Sequence, residues 1–228
     1  LLNGASELVE YAQSAGNWQA GKLKLGITPT IAPFLLEGLI DKVGKALPDL
    51  NLQLQENTTS NLLRELNSGE LDLLILALPM ETPGCKQMVI GHDPFHLVAH
   101  PHMLELLPQP LDYSALPKDS VFLLQQEHCM TGHAVSACGL KHKEQVSALA
   151  ASSLFTLVQL ANSKLGLTFL PELALKSDIL QHSALVSFPA EDKAYREIGL
   201  VWRSGTTRVR LFRRIAELLQ PLMPKPML

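Results

Sequence analysis

With 228 residues, 46% hydrophobic and 18% charged, the chain has the make-up of a globular protein and enough length for one large or two small domains. A formal charge of −3 argues against a duplex-binding surface, which is usually basic, and three cysteines are too few and too odd in number for a disulfide framework. No apolar run reaches the ~18–20 residues of a membrane span, and the start, Leu1-Leu2-Asn3-Gly4, lacks the basic and apolar regions of a signal peptide. It also lacks a methionine, so the chain reads as a fragment or as trimmed at its N-terminus.

Residues 5–15 read as the tail of a helix stopped by Gly16. Leu23 and Leu25 alternate with Lys22 and Lys24 as in a strand, and Gly26-Ile27-Thr28-Pro29-Thr30 follows as a turn. Phe34, Leu35, Leu39, Ile40, Val43 and Leu47 recur at helical spacing until Pro48. Leu50, Leu52 and Leu54 alternate again. Thr59 or Ser60 is the expected N-cap of a helix carrying Leu62, Leu63 and Leu66 and closed by Gly69. Leu71 to Ala77 is a short apolar run that reads as a buried parallel strand.

The order β-α-β-α-β predicts an open parallel sheet with helices on its faces, whose ligands bind beyond the carboxyl ends of the strands. Thr28, Thr30, Thr58, Thr59 and Ser60 all fall at that edge, either as caps and turn residues or as a site. His92 to His100 reads as a strand leaving this layer. Pro101 to Pro117 reads as a loop with a helical turn, and Val121 to Leu124 as a buried strand. Ser152-Ser153 caps a helix carrying Leu154, Leu157, Val158 and Leu160, Gly166 ends it, and Leu167 to Leu170 is a strand stopped by Pro171. Leu185 to Phe188 and Ile198 to Trp202 read as strands, and Val209 to Leu222 as an amphipathic helix. Two α/β lobes without a flexible linker suggest interleaved lobes around a cleft, the chain passing out near residue 92 and returning near residue 196. The basic cluster from Arg203 to Arg214 precedes an apolar helix face, so any contact with nucleic acid is expected outside this sequence.

One segment carries chemistry: Glu127-His128-Cys129-Met130-Thr131-Gly132-His133, with Cys138 following the first cysteine after a gap of eight residues. If the intervening residues are helical, the two Cα atoms stand roughly 13 Å apart at about 1.5 Å per residue. A disulfide tolerates only about 4.4–6.8 Å, so a bond between them requires the backbone to refold. Spacing alone leaves two readings, a pair of buried structural thiols or a switch. Zinc is a weaker third, since His128, Cys129, His133 and Cys138 offer ligands but not a familiar spacing. Cys85, after Thr82-Pro83-Gly84 in a turn, has no evident partner.

The first eighty residues, with Leu66-Asn67-Ser68-Gly69-Glu70-Leu71-Asp72-Leu73-Leu74-Ile75, resemble the effector-binding domain of LysR-type transcriptional regulators. So do Ser152-Ser153-Leu154-Phe155-Thr156-Leu157 and Gly166-Leu167-Thr168-Phe169-Leu170-Pro171. Within that family, His128-Cys129 and Cys138 resemble the members that sense hydrogen peroxide. The resemblance runs from about Gly21 to Leu222. It implies an α/β fold of two interleaved Rossmann-like lobes around a cleft, like type 2 periplasmic binding proteins. Residues 1–21 would be the end of a linker helix and a connection, 22–92 the first lobe, 93–195 the second with the redox segment, and 196–228 the return to the first. It further implies a cytoplasmic homo-oligomer, a dimer or tetramer, with a winged helix-turn-helix domain for DNA ahead of this sequence. RNA polymerase and a cellular thiol reductant would be partners, with no cofactor, metal or membrane.

Cys129 matches the peroxide-reactive position and Cys138 the resolving one, and Thr30, Thr59, His128 and Arg196 match positions lining the peroxide pocket. The chain departs from the pattern at Glu127, where a glycine is usual, and at Met130-Thr131-Gly132, where Leu-Arg-Asp is common. Glu127 is therefore the candidate for tuning sensitivity. The expected protein is a stoichiometric sensor controlling antioxidant genes, not a turnover enzyme. The alternatives are a small-molecule effector- or solute-binding domain and a thiol peroxidase.

Overall fold

The computed structural model describes residues 17–107, 111–125, 129–137, 140, 143–190 and 194–225. The expected helix at 5–15 lies outside them. The chain divides into two compact units, one of Leu1–Gly91 with Glu197–Met223 and the other of His92–Arg196 with Pro224–Leu228.

The first unit grows from β1 (Gly21–Ile27), α1 (Ala32–Ala46), β2 (Leu50–Glu56), α2 (Thr59–Ser68) and β3 (Leu73–Leu78). β1 pairs in parallel with β2 on one side and with β3 on the other, as two β-α-β crossovers demand. Gly26 and Ile27, expected in a turn, finish β1 instead, because their register partners Gln55 and Glu56 extend the ladder. All six residues of β3 are buried, which marks it as a central strand. It pairs antiparallel with β9 (Tyr195–Arg203). α1 buries Ala32, Leu35, Leu39 and Val43, its apolar stripe, and ends ahead of Pro48. α2 ends on Gly69, whose φ of +84° places it in the left-handed region that favours glycine.

The final helix α7 (Val209–Leu219) buries Leu211, Phe212, Ile215, Ala216 and Leu219, and the expected last turn is a 3-10 helix, Gln220–Leu222. The basic cluster is largely engaged within this unit. Arg203 donates to the carbonyls of Leu66 and Leu71 at the end of α2. Arg208 donates to the carbonyl of Lys22 and lies 3.8 Å from Asp72. Arg210 sits over the Trp18 ring at 4.2 Å, and Arg214 pairs with Glu217.

In the second unit, β4 (Cys85–Ala99) pairs antiparallel with β7 (Leu167–Pro171) and β8 (Val186–Pro189) through its last residues. β4 begins seven residues before the expected His92, and Cys85 opens it after the Thr82–Gly84 turn. β5 (Val121–Leu124) pairs in parallel with β7 and with β6 (Val146–Ala151), a strand the sequence reading missed. Between β4 and β5 lie the short α3 (Pro101–Glu105) and a 3-10 turn at Tyr113–Ala115. α5 (Leu154–Asn162) connects β6 to β7. Ser153 caps it, its hydroxyl accepting from the Thr156 N–H at 3.1 Å. A Cβ on Gly166 would collide with the backbone carbonyl of Ser120, so the approach to β7 requires glycine. The short α6 (Glu172–Leu175) follows β7 directly.

Candidate functional site

Within the first unit, the carboxyl ends of two neighbouring strands carry the threonines. Ile27 of β1 is in register with Glu56 of β2, and the Asn57 N–H donates to the Ile27 carbonyl at 3.3 Å. Thr28 and Thr30 thus follow the end of β1 as Thr58 and Thr59 follow the end of β2. Thr28, Thr30 and Thr59 are buried at 3%, 3% and 7% exposure. The capping role expected of Thr59 or Ser60 is not what is seen. Thr58 holds the N-cap position of α2, Thr59 is the first helical residue, and no side chain makes a capping bond there. Asn57 Oδ1 instead accepts from the Thr58 N–H at 2.9 Å. Thr28 Oγ1 is buried without a hydrogen-bond partner among the described residues.

The second unit builds the cysteine segment on the same plan, a helix leaving the carboxyl end of a parallel strand. β5 ends at Leu124, and the Gln125 N–H donates to the Ala151 carbonyl at 2.9 Å. α4 then runs over Cys129–Ala137. Cys129 is thus the first residue of a nine-residue helix, where unpaired N–H groups and the helix dipole favour an anion. Met130 and Ala134 face inward with 0% exposure and anchor the helix. Thr131 Oγ1 donates to the Leu124 carbonyl at 2.8 Å, tying the first turn of α4 to the end of β5. Gly132 is exposed and His133 half-buried. Of Cys129 the backbone alone is described, and Glu127, His128 and Cys138 lie outside the described residues.

Arg196, at the start of β9, is completely buried against a residue the sequence reading did not name. Its Nε and Nη2 donate to Asp93 Oδ2 at 3.0 and 2.9 Å, and Asp93 Oδ1 accepts from the Leu173 N–H at 2.9 Å. Burial pushes the Asp93 carboxyl up, while the Arg196 guanidinium and the Leu173 N–H draw it back. The available signal was an aspartate inside an apolar stretch, which calls for a charged partner once buried. The partner stands 103 residues away. Nearby in the same unit, His96 Nε2 lies 3.7 Å from Glu172, which also pairs with Lys176 at 2.8 Å.

Cys85 belongs to the first unit, half-buried, its Sγ donating to Asn67 Oδ1 at 3.6 Å. Burial pushes its thiol up, with Arg203 opposing, so it is a weaker nucleophile than an ordinary exposed thiol. Among the described residues no three His, Cys, Asp or Glu side chains cluster as a metal site, and no helix is long and apolar enough to cross a membrane.

Comparison with known proteins extends this geometry. Residues 17–224 match the model of the LysR substrate binding domain. The HTH-type transcriptional regulator EstR of Acinetobacter baylyi is 35% identical over 225 residues, 96% of this chain and 73% of that protein. The reduced regulatory domain of OxyR2 from Vibrio vulnificus is 48% identical with a TM-score of 0.86, over 90% of this chain and 97% of that one. The Vibrio domain has also been solved with a glutamate replaced by glycine and, separately, with the cysteine two positions after it replaced by serine. Glu127 and Cys129 stand at that spacing here. A cysteine-to-serine OxyR from Corynebacterium glutamicum, solved with hydrogen peroxide bound, is 31% identical with a TM-score of 0.80, over 97% of this chain and 71% of that one. The relatives are named as transcriptional regulators, not enzymes. With its two-unit mixed α/β fold and a family match across nearly its whole length, the chain belongs to the LysR family and forms its substrate-binding domain.

Proposed function

We propose that this domain is the sensor of a transcriptional regulator that responds to hydrogen peroxide by oxidising Cys129 and linking it to Cys138. The observation that carries the reading is the helix beginning at Cys129 and continuing through Ala137. Eight helical steps separate those Cα atoms by about 12 Å. One further residue reaches only about 3.8 Å, whereas a disulfide needs Cα atoms within about 6.8 Å. While α4 stands, no placement of the next residue closes the bond. Oxidation therefore has to dismantle the helix, and a chemical event at one sulfur becomes a change of shape.

In the first step the Cys129 thiolate attacks one peroxide oxygen. The O–O bond breaks, sulfur is oxidised to sulfenic acid, and the departing hydroxide takes a proton to become water. The N-terminal turn of α4 favours the thiolate. Thr30, Thr59, His128 and Arg196 are assigned to binding and activating the peroxide, with Arg196 held in place by Asp93. In the second step the Cys138 sulfur displaces water from the sulfenic acid and forms the disulfide, which a dithiol reductant later reverses. DNA binding, assembly into a dimer or tetramer and contact with RNA polymerase belong to the whole regulator, since relatives are matched over about three quarters of their length. The reshaped α4 would act on them through subunit contacts.

Thiol counting with peptide mapping tests the reading. One equivalent of peroxide is expected to remove two of the three thiols and leave Cys85 alkylatable. Retention of all three, or an adduct at Cys85 first, would refute it. Glu127 stands two residues before the reactive cysteine in the sequence, and a carboxylate raises the pKa of a thiol if it is charged and close to it. Glu127→Gly is expected to speed sulfenic acid formation by up to about tenfold, one pKa unit of added thiolate. An unchanged rate in stopped-flow measurements removes Glu127 from the chemistry.

The match to the LysR substrate binding domain and the buried Thr28 hydroxyl, which has no hydrogen-bond partner among the described residues, favour a second reading, binding of a small polar effector at the threonine edge. Calorimetry with small organic acids decides it. A Thr28→Val-sensitive heat of binding would support the effector role.

A further inference from the structure

Two neighbouring residues of α4 pull on its stability in opposite directions. Thr131 ties the first turn to the end of β5, its hydroxyl donating to the Leu124 carbonyl at 2.8 Å. That acceptor sits at the last residue of the strand, where the ladder stops. Gly132, the next residue, has no steric reason to be glycine. Among the described residues a Cβ there meets nothing within 4 Å, and its backbone is not among the positive-φ positions. Some glycines of this fold are demanded by contact, as Gly26 is by Leu62, Leu71 and Leu74, and Gly166 by Ser120, whereas Gly44 within α1, like Gly132, meets nothing. Glycine inside a helix is among its weakest formers, because the unfolded chain gains more freedom there than at any other residue. In a helix of nine residues, held inward by Met130 and Ala134, one such position weighs heavily.

We propose that Thr131 and Gly132 together set the point at which the switch closes, Thr131 as a latch that holds α4 to β5 and Gly132 as a built-in weakness that lets it melt. The proposal rests on the disulfide reading above and adds which residues regulate it. Both positions are positioning residues, acting through the helix that keeps the two sulfurs apart. The bond that forms is Cys129–Cys138, with peroxide as oxidant and two water molecules as products over both steps.

The test equilibrates the wild-type protein, Gly132→Ala and Thr131→Val in glutathione buffers of stepped redox ratio, and measures the disulfide-to-dithiol ratio by alkylation and mass spectrometry. Ala restores helix propensity without filling any occupied space. It is expected to lower the ratio about fivefold, the equivalent of ~1 kcal/mol at 1.36 kcal/mol per decade. Val keeps the shape and nearly the propensity of Thr while removing the hydroxyl. It is expected to raise the ratio about two- to tenfold, the range a single net hydrogen bond represents. Hydrogen exchange at 129–137 in the reduced proteins supplies a second reading, slower in the Ala variant and faster in the Val variant.

Ratios that move together, or that stay put while exchange changes, overturn the proposal and leave the disulfide reading intact. A wild-type protein that forms no Cys129–Cys138 bond in any buffer overturns both.

Discussion

Replacing Asp93 with Asn is expected to destabilise the protein by about 3–5 kcal/mol, the cost of removing one partner of a buried ion pair. Arg196 has no exposed side-chain surface, and two of its N–H groups are directed at a single Asp93 oxygen. Asn offers one neutral acceptor in place of a carboxylate that binds both Arg196 and the Leu173 N–H. Loss on this scale exceeds most single substitutions and approaches half the stability of an ordinary domain. Urea unfolding of the reduced protein measures it. The paired change Asp93→Leu with Arg196→Met is expected to cost far less, because no charge is left stranded. A single-variant loss below about 1 kcal/mol would mean that another anion holds Arg196. The same pair bears on sensing, since it fixes Arg196, one of the residues assigned to the peroxide.

The second large effect concerns the two cysteines. Cys129→Ser is expected to abolish consumption of peroxide by the domain at low concentration, since a hydroxyl has no accessible anion at neutral pH. Cys138→Ser is expected to consume one equivalent and stop at sulfenic acid, trapped by a dimedone-type probe and located by peptide mapping. The order of dependence separates the roles: loss of the first residue removes both steps, loss of the second removes only one. Sulfenic acid appearing at Cys138 in the Cys129→Ser protein would reverse the assignment. Cys85 serves as an internal control, because burial lowers its thiolate fraction.

The sequence was most legible where one face of an element is buried. Leu23 and Leu25 in β1, the continuous apolar β3 and the stripe of Leu35, Leu39 and Val43 in α1 each announce their element through periodicity. It was least legible in segments defined by a distant partner. β6, Val-Ser-Ala-Leu-Ala-Ala, is mostly exposed and rich in small residues, and its ladder with β5 is what makes it a strand. The first half of β4 alternates poorly for the same reason. Ser153 was read correctly as a cap because its hydroxyl acts three residues away, within the reach of local pattern. Thr59 was not, because the same residue type serves turns, caps and sites alike.

The candidate site divided in the same way. The cysteine spacing is local, and the helix that the distance argument posed as a condition is present over Cys129–Ala137. Asp93 and the Thr131–Leu124 bond are tertiary facts. One joins residues 103 positions apart, and the other depends on where a strand runs out.

Hydrogen exchange of residues 129–137, compared between fully reduced and peroxide-treated protein, tests most directly whether oxidation is turned into shape by melting α4. Expected is protection of the helix amides in the reduced form and its loss over this segment on oxidation, with β1 and β3 unchanged. Protection that persists through residues 129–137 in protein proven to carry the Cys129–Cys138 bond would contradict it.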